Sequence, residues 1–274
     1  MTTFPKAAMV AIATTLFASS EGLAATVEID FDAGNFSNPL TIDNQYWPLI
    51  PGTTFIYKAK TPDGCEEDHF TVTSGTKLIT INGENVTTRV IEDLAYEDEE
   101  CNGVDDSEVV EKTVDWHAQD NAGNVWYFGE ETYDCNGLNN CVLGDGSWEA
   151  GKDIQNIGSI ALPGIIILAN GTTGDAYRQE LYEGFAEDWA KIMGKNATIT
   201  LRRDDAIDPG SWSNCLVTKE WNGLDSGSVE QKYYCAGIGL VLVTEHSGKV
   251  VRFELTGVSG ARRDAFKFRK VPRQ

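Results

Sequence analysis

The chain has 274 residues, with 22 Lys and Arg set against 42 Asp and Glu, a formal net charge of −20. A body this acidic repels nucleic acid and anionic membrane, so the partners to expect are a small molecule or glycan, a divalent cation or a basic protein. No late segment is long and apolar enough to span a bilayer, 165–168 being only four residues, so no integral membrane segment is expected, while the oligomeric state is not legible.

Residues 1–25 read as a secretory signal peptide. Lys6 precedes a mostly apolar run over 7–18, and Gly22-Leu-Ala24 supplies small residues at the cleavage subsites. The expected product is soluble and secreted or periplasmic. The rest divides into a single β domain over 26–260 and a basic tail over 261–274, where six basic residues and one acid fall between Arg262 and Arg273. All six cysteines follow the signal segment. An even count in an exported chain favours disulfides, and no Cys-x-x-Cys spacing suggests zinc.

Period-2 alternation dominates, and long apolar stripes at helical spacing are absent. Pro51-Gly52 launches a strand over 53–60. A second runs from His69 through a bulge at Ser74-Gly75 to Ile81. Asn82-Gly83 is a hairpin turn, and 86–94 is the returning strand. After an acidic loop, 109–119 and 124–131 form a hairpin around Asp120-Asn-Ala-Gly123. Further strands are expected at 177–182, 197–202, 215–221, 231–234, 239–245 and 250–255. The stretch 185–193 fits either a short helix or a strand, and Ala161-Leu-Pro-Gly164 reads as loop. The expected fold is all-β: one antiparallel barrel or strongly curved half barrel with meander connections and little helix.

Strand parity then places the loops at 61–67, 96–107 and 132–147 at one end, provided that 69–81 is one strand. This favours Cys65–Cys101 and Cys135–Cys141, with Cys215–Cys235 between neighbouring strands.

Tyr46-Trp-Pro-Leu-Ile-Pro-Gly-Thr-Thr-Phe-Ile-Tyr57 resembles the opening FPL-x-PG-x-x-W-x-Y of a group of exported bacterial β-proteins of unassigned activity. Asp115-Trp-His-Ala-Gln-Asp120, Gly123-Asn-Val-Trp-Tyr-Phe-Gly-Glu130 and Gly146-Ser-Trp-Glu-Ala-Gly151 are similar to later blocks of that group. The similarity continues through 177–180, 186–188 and 233–241. The last block also resembles the terminal strands of lipoprotein-carrier-type half barrels, which bind apolar ligands in a concave sheet. The resemblance implies a fold and a compartment but no catalytic residues. His117 stands where an aromatic such as tyrosine is expected.

Three residue groups carry candidate chemistry. A four-residue loop at 120–123 would pair His117 with Trp126 and Asp115 with Phe128. One face then carries Asp115, His117, Trp126, Phe128 and Glu130, and the other Val114, Trp116, Val125 and Tyr127. On the first face Asp115, His117 and Glu130 could act as base and orienting acids, with Trp126, Phe128 and Trp148 lining a ligand. A bulge or a five-residue loop would dissolve that face. On a strand Arg178 and Glu180 share a face, suiting an internal ion pair or ligand contact. Paired carboxylates such as Glu130 with Glu149 or Glu180 would suit glycoside hydrolysis. Asp98-Glu-Glu-Cys-Asn-Gly103 with Asp105 approximates a calcium loop with Asp98, Glu100, Asn102 and Asp105 as ligands. Val109, however, falls where a bidentate glutamate belongs.

Two functions are compatible with these groups. One is an exported β-barrel binding a small apolar or aromatic ligand, with calcium in the acidic loops. The other is an exported hydrolase or lyase acting on a polysaccharide or ester.

Overall fold

A computed structural model describes residues 26–260 apart from 204, 207–210, 226 and 246–249. The signal segment and the basic tail therefore lie outside the described residues. The strands are β1 (Thr53–Lys60), β2 (Cys65–Ile81), β3 (Glu84–Asp98), β4 (Val109–Gln119), β5 (Val125–Cys135), β6 (Cys141–Leu143), β7 (Trp148–Glu149) and β8 (Leu162–Ile167). They continue with β9 (Ala176–Arg178), β10 (Glu180–Leu181), β11 (Asp188–Thr200), β12 (Ser211–Asn222), β13 (Val229–Cys235), β14 (Gly239–Glu245) and β15 (Val251–Gly260). Helix is confined, among the described residues, to one 3-10 turn at Ala33–Asn35.

The sheet runs β10-β8-β5-β4-β3-β2-β1-β15-β14-β13-β12-β11-β9, with β6 and β7 added to β5. Its two edge strands, β9 and β10, follow each other in the chain with only Gln179 between them. The Gln179 amide donates to the Asp188 carbonyl at the start of β11 (2.8 Å). On its other side Gly164 of β8 lies so close that a Cβ would overlap the Gln179 carbonyl oxygen. One residue thus spans the gap between the edges, and the antiparallel sheet is nearly closed into a barrel. Closure removes the unpaired edges that would otherwise invite aggregation.

Local chemistry explains most of the elements. Asn82 and Gly83 both take positive φ (53° and 85°), as a two-residue hairpin turn requires. The shift between Val72 and Thr76 is a bulge, so β2 stays one strand. Past it, the β2–β3 arm leaves the barrel and buries Ile79, Ile81 and Val86. Lys77 on this arm covers the Trp116 ring (3.1 Å) and pairs with Glu149 (2.9 Å).

Several expectations are corrected. Of the two options for 185–193 the strand holds: a turn leads into β11, which also absorbs 197–200 across bulges. The 177–182 strand is broken at Gln179 into β9 and β10. Ala161-Leu-Pro-Gly is not loop: Leu162 begins β8, and Pro163 pairs with Glu180 of the edge strand β10, just before β8 meets β5 at Gly164.

The disulfides are Cys65–Cys101, Cys135–Cys141 and Cys215–Cys235. The first two tie together the loops at the end where β1 meets β2 and β3 meets β4. Leu138 donates to the Asp106 carbonyl there (2.7 Å), holding the two acidic loops side by side. The opposite end is stoppered by the segment before β1. Gly237 donates to the Gln45 carbonyl (2.8 Å), and Trp47 packs on Phe70 and Tyr234 with ring centroids 5.4 and 5.5 Å away. No helix of the described residues is long and apolar enough to cross a membrane.

Candidate functional site

Above Trp47 the barrel is hollow. The cavity holds about 380 Å³ and reaches exposed Ser228 at the disulfide-tied end. Its lining follows from alternation along each strand, because inward side chains change from apolar near the stopper to acidic near the mouth. On β2 Val72 and Phe70 give way to Asp68; on β3 Ile91 gives way to Asp93. On β12 Leu216 precedes Glu220, and on β14 Val241 and Val243 precede Glu245. Asp115, Glu180, Asp188 and Glu230 complete a belt of eight carboxylates, and Lys232 is the one Lys or Arg among the residues described as lining it.

The β4–β5 hairpin contributes the most constrained part. Its loop is five residues, 120–124, and Asp120 organises it by accepting from the amides of Ala122 and Asn124, from Asn124 Nδ2 and from Trp126 Nε1. Gln119 therefore pairs with Val125 and His117 with Tyr127. A second slip lies between His117 and Asp115, which pairs with Glu130. Gly129 supplies it: φ is 123°, and a Cβ would overlap the Trp148 carbonyl. The expected face is corrected accordingly. Asp115, His117 and Glu130 stay together but are joined by Tyr127. Trp126 and Phe128 turn to the other side, under Phe31 and Phe36, with centroids 5.8–6.3 Å apart.

The Tyr127 hydroxyl lies 2.6 Å from Asp115 Oδ1 and 2.8 Å from Glu130 Oε2. It has one proton to donate, so both contacts are satisfied only when one carboxyl is itself protonated and donates back. Like charges about 4 Å apart repel by roughly 4 kcal/mol at an effective dielectric near 20, which favours the same outcome. Burial, then the Asp93 charge, raises Asp115 to about 7. Burial, then Asp115, raises Glu130 to about 8. Glu180, which accepts from Trp148 Nε1 (3.3 Å), is pushed well up by burial and by Glu130. Asp93 is pushed well up by burial and by its neighbour Asp68. Asp188 rises to about 6 through burial, against the pull of Lys232.

Glu220 is compensated by three partners. It accepts from Thr218 (2.6 Å) and Tyr234 (3.0 Å) and pairs with Lys232 (3.0 Å), which also reaches Glu230 (3.3 Å).

His117 is 3% exposed and stacks on Tyr127 with centroids 4.9 Å apart. Burial lowers it to about 3, so it is neutral at pH 7, and its Nδ1 has no hydrogen-bond partner among the described residues. Trp47 Nε1 also has none there, at 9% exposure. Both rings line the cavity.

The remaining expected site residues lie elsewhere. Arg178 and Glu180 do not share a face, because the break at Gln179 separates them. The Arg178 guanidinium lies 4.4 Å over the Trp189 ring, which stacks on Trp221. Trp148 lies behind Tyr127, edge-on at 5.3 Å. Glu149 pairs with Lys77 and Lys152. In the proposed calcium loop the oxygens serve the loop itself. Asp98 accepts from the amides of Glu100 and Gly103, Asp105 accepts from the Ser107 amide and hydroxyl, and Asn102 donates to Glu100. Among the described residues no group of three or more His, Cys, Asp or Glu is arranged to hold a metal ion.

Asp68, Asp93, Glu220, Glu230, Glu245 and Trp47 were not singled out by sequence reasoning. Their signal is the acid two or four residues beyond an inward apolar residue, repeated on strand after strand.

The chain has the architecture of an all-β barrel with a lined lumen. No protein-family model matches it, and no curated protein matches it. Two solved structures are similar in outline. One is a Bacteroides fragilis protein inferred to be exported, with a YmcC-like fold, at 9% identity and a TM-score of 0.40. The other is a Parabacteroides distasonis protein inferred to be a lipoprotein, at 11% identity and a TM-score of 0.33. Each alignment covers 79% of this chain and 99% of the other. Neither score carries an argument about this chain's ligand or reaction.

Proposed function

We propose that this chain is an exported binding protein that holds one small molecule in the barrel lumen, entered from the acidic, disulfide-tied mouth. The observation that carries the reading is the cavity of about 380 Å³ with two buried ring nitrogens, Trp47 Nε1 and His117 Nδ1, left without partners among the described residues. Buried polar atoms are almost always satisfied, so unsatisfied ones beside a cavity argue for a guest that satisfies them. Trp47, Phe70 and Tyr234 offer the aromatic floor that suits an aromatic group. A purely apolar guest would leave the carboxylates above it desolvated and unmatched, so the guest is polar at its mouth end. The volume suits a molecule up to the size of a monosaccharide-class glycan or small aromatic.

The hydrolase or lyase alternative draws little support from the same residues. His117 is too weak a base once buried, and Asp115 and Glu130 are tied to one tyrosine hydroxyl. Calcium in the 98–105 loop likewise lacks a set of free donors.

Native mass spectrometry of the protein purified from an exporting host tests the reading. A small-molecule adduct that disappears on denaturation is expected. An adduct-free protein that also takes up no compound from a broad thermal-shift library would reject it.

A further inference from the structure

The lumen is more specific than a generic hollow. We infer that its ligand class is an organic amine, cationic at neutral pH, with an aromatic or apolar tail; this rests on reading the lumen as the binding site. Polarity runs along the barrel axis, with the tail end of the cavity formed by Trp47, Phe70 and Tyr234 and the mouth end by the carboxylate belt. Eight lining carboxylates face one lysine, which is already divided between Glu220 and Glu230.

An acidic cluster alone would not carry a ligand, since carboxyls can share protons. Here the sharing is incomplete. Asp68 and Asp93 hydrogen-bond to each other by sharing a proton, but Asp188 Oδ1 is buried without a hydrogen-bond partner among the described residues, and the other lining carboxylates outnumber the single lysine. The buried, unpartnered nitrogens of Trp47 and His117 add an independent demand at the floor. An ammonium group has three donors and no acceptor, which matches a wall of unpaired carboxylate oxygens. A carbonyl or hydroxyl acceptor placed deeper in the guest would meet Trp47 Nε1. An anionic guest is repelled, and a neutral alcohol supplies one donor where the belt offers many acceptors.

Isothermal titration at pH 8 with three matched probes tests the assignment: 2-phenylethylamine, 2-phenylethanol and phenylacetate. The amine is expected to bind at least roughly tenfold tighter than the alcohol, as charge-assisted bonds to carboxylates imply, and phenylacetate not to bind. Glu180→Gln and Asp188→Asn, checked for fold by circular dichroism, should each weaken the amine and leave the alcohol unchanged. Equal or tighter binding of the alcohol or of phenylacetate would overturn the amine class while leaving the lumen reading standing. If no probe binds but native mass spectrometry finds an adduct, a cationic adduct supports the inference and a neutral or anionic one overturns it. If no probe binds and there is no adduct, both fall.

Discussion

Tyr127 is the residue on which the inner wall turns. Its hydroxyl joins two carboxyls that would otherwise face each other unbridged in a buried site. Tyr127→Phe is therefore expected to cost about 1–3 kcal/mol, the range for leaving buried polar partners unsatisfied. The cost should be larger at pH 8, where Asp115 and Glu130 approach ionisation, than at pH 5, where both hold protons. Chemical denaturation at the two pH values measures it, and an equal loss at both would count against the shared-proton arrangement. His117 presents the opposite case. Among the described residues it makes no hydrogen bond that Phe would lose, so His117→Phe should change stability by less than about 1 kcal/mol at pH 7.5. At pH 5 the variant should be the more stable protein. The unfolded histidine gains a proton below its ordinary 6.5, and the folded one does so only near 3, a difference that the substitution removes.

At the level of the elements, one glycine decides what the central hairpin turns to the lumen. Gly129→Ala must displace the Trp148 carbonyl or abolish the bulge, and abolishing it would carry Asp115 and Glu130 off the inner wall. A loss of several kcal/mol is expected, above the roughly 1 kcal/mol of an ordinary glycine substitution. Replacing both Cys65 and Cys101 with Ser should cost about 3–4 kcal/mol by loop-closure entropy across their separation of 36 residues.

Much of this level was legible beforehand. The hairpin at Asn82-Gly83, the continuous β2 with its bulge and the barrel class all follow from turn chemistry and alternation. The face of the central hairpin did not. Counting a four-residue loop at 120–123 overlooked Asp120 capping as far as Asn124, and nothing local marks Gly129 as a bulge until Trp148 is brought against it. The belt was hidden for a related reason. Each of eight strands contributes one carboxylate, so no window of sequence contains the cluster, and it exists only once the edges meet at Gln179. Residues 161–164 misled because a proline reads as punctuation, while its edge-strand partner Glu180 is supplied from 17 residues away.

For the whole molecule, the belt and its neighbour Glu130 set an unusual pH dependence. Carboxyls raised to about 7 at Asp115, about 8 at Glu130 and about 6 at Asp188 bind protons in the folded state that the unfolded chain has released. Their contribution to stability is complete below the ordinary carboxylate range near 4 and is lost as pH rises through 6 to 8. His117 opposes this only below 6.5, and as one group against three. The unliganded protein is therefore expected to melt higher at pH 5 than at pH 8 in differential scanning calorimetry. A melting temperature that rises from pH 5 to pH 8 would contradict protonated belt carboxyls. Binding of an amine should run the other way, tightening as the belt ionises.

The lumen itself is tested most directly by native mass spectrometry of wild-type protein beside Val243→Trp, whose larger side chain on β14 fills the cavity from one wall. With the two proteins matched in circular dichroism and incubated with 2-phenylethylamine, the expected result is an adduct on the wild type that is absent from Val243→Trp. Equal adducts on both proteins would contradict a ligand held in the barrel, and no adduct on either would contradict the amine class.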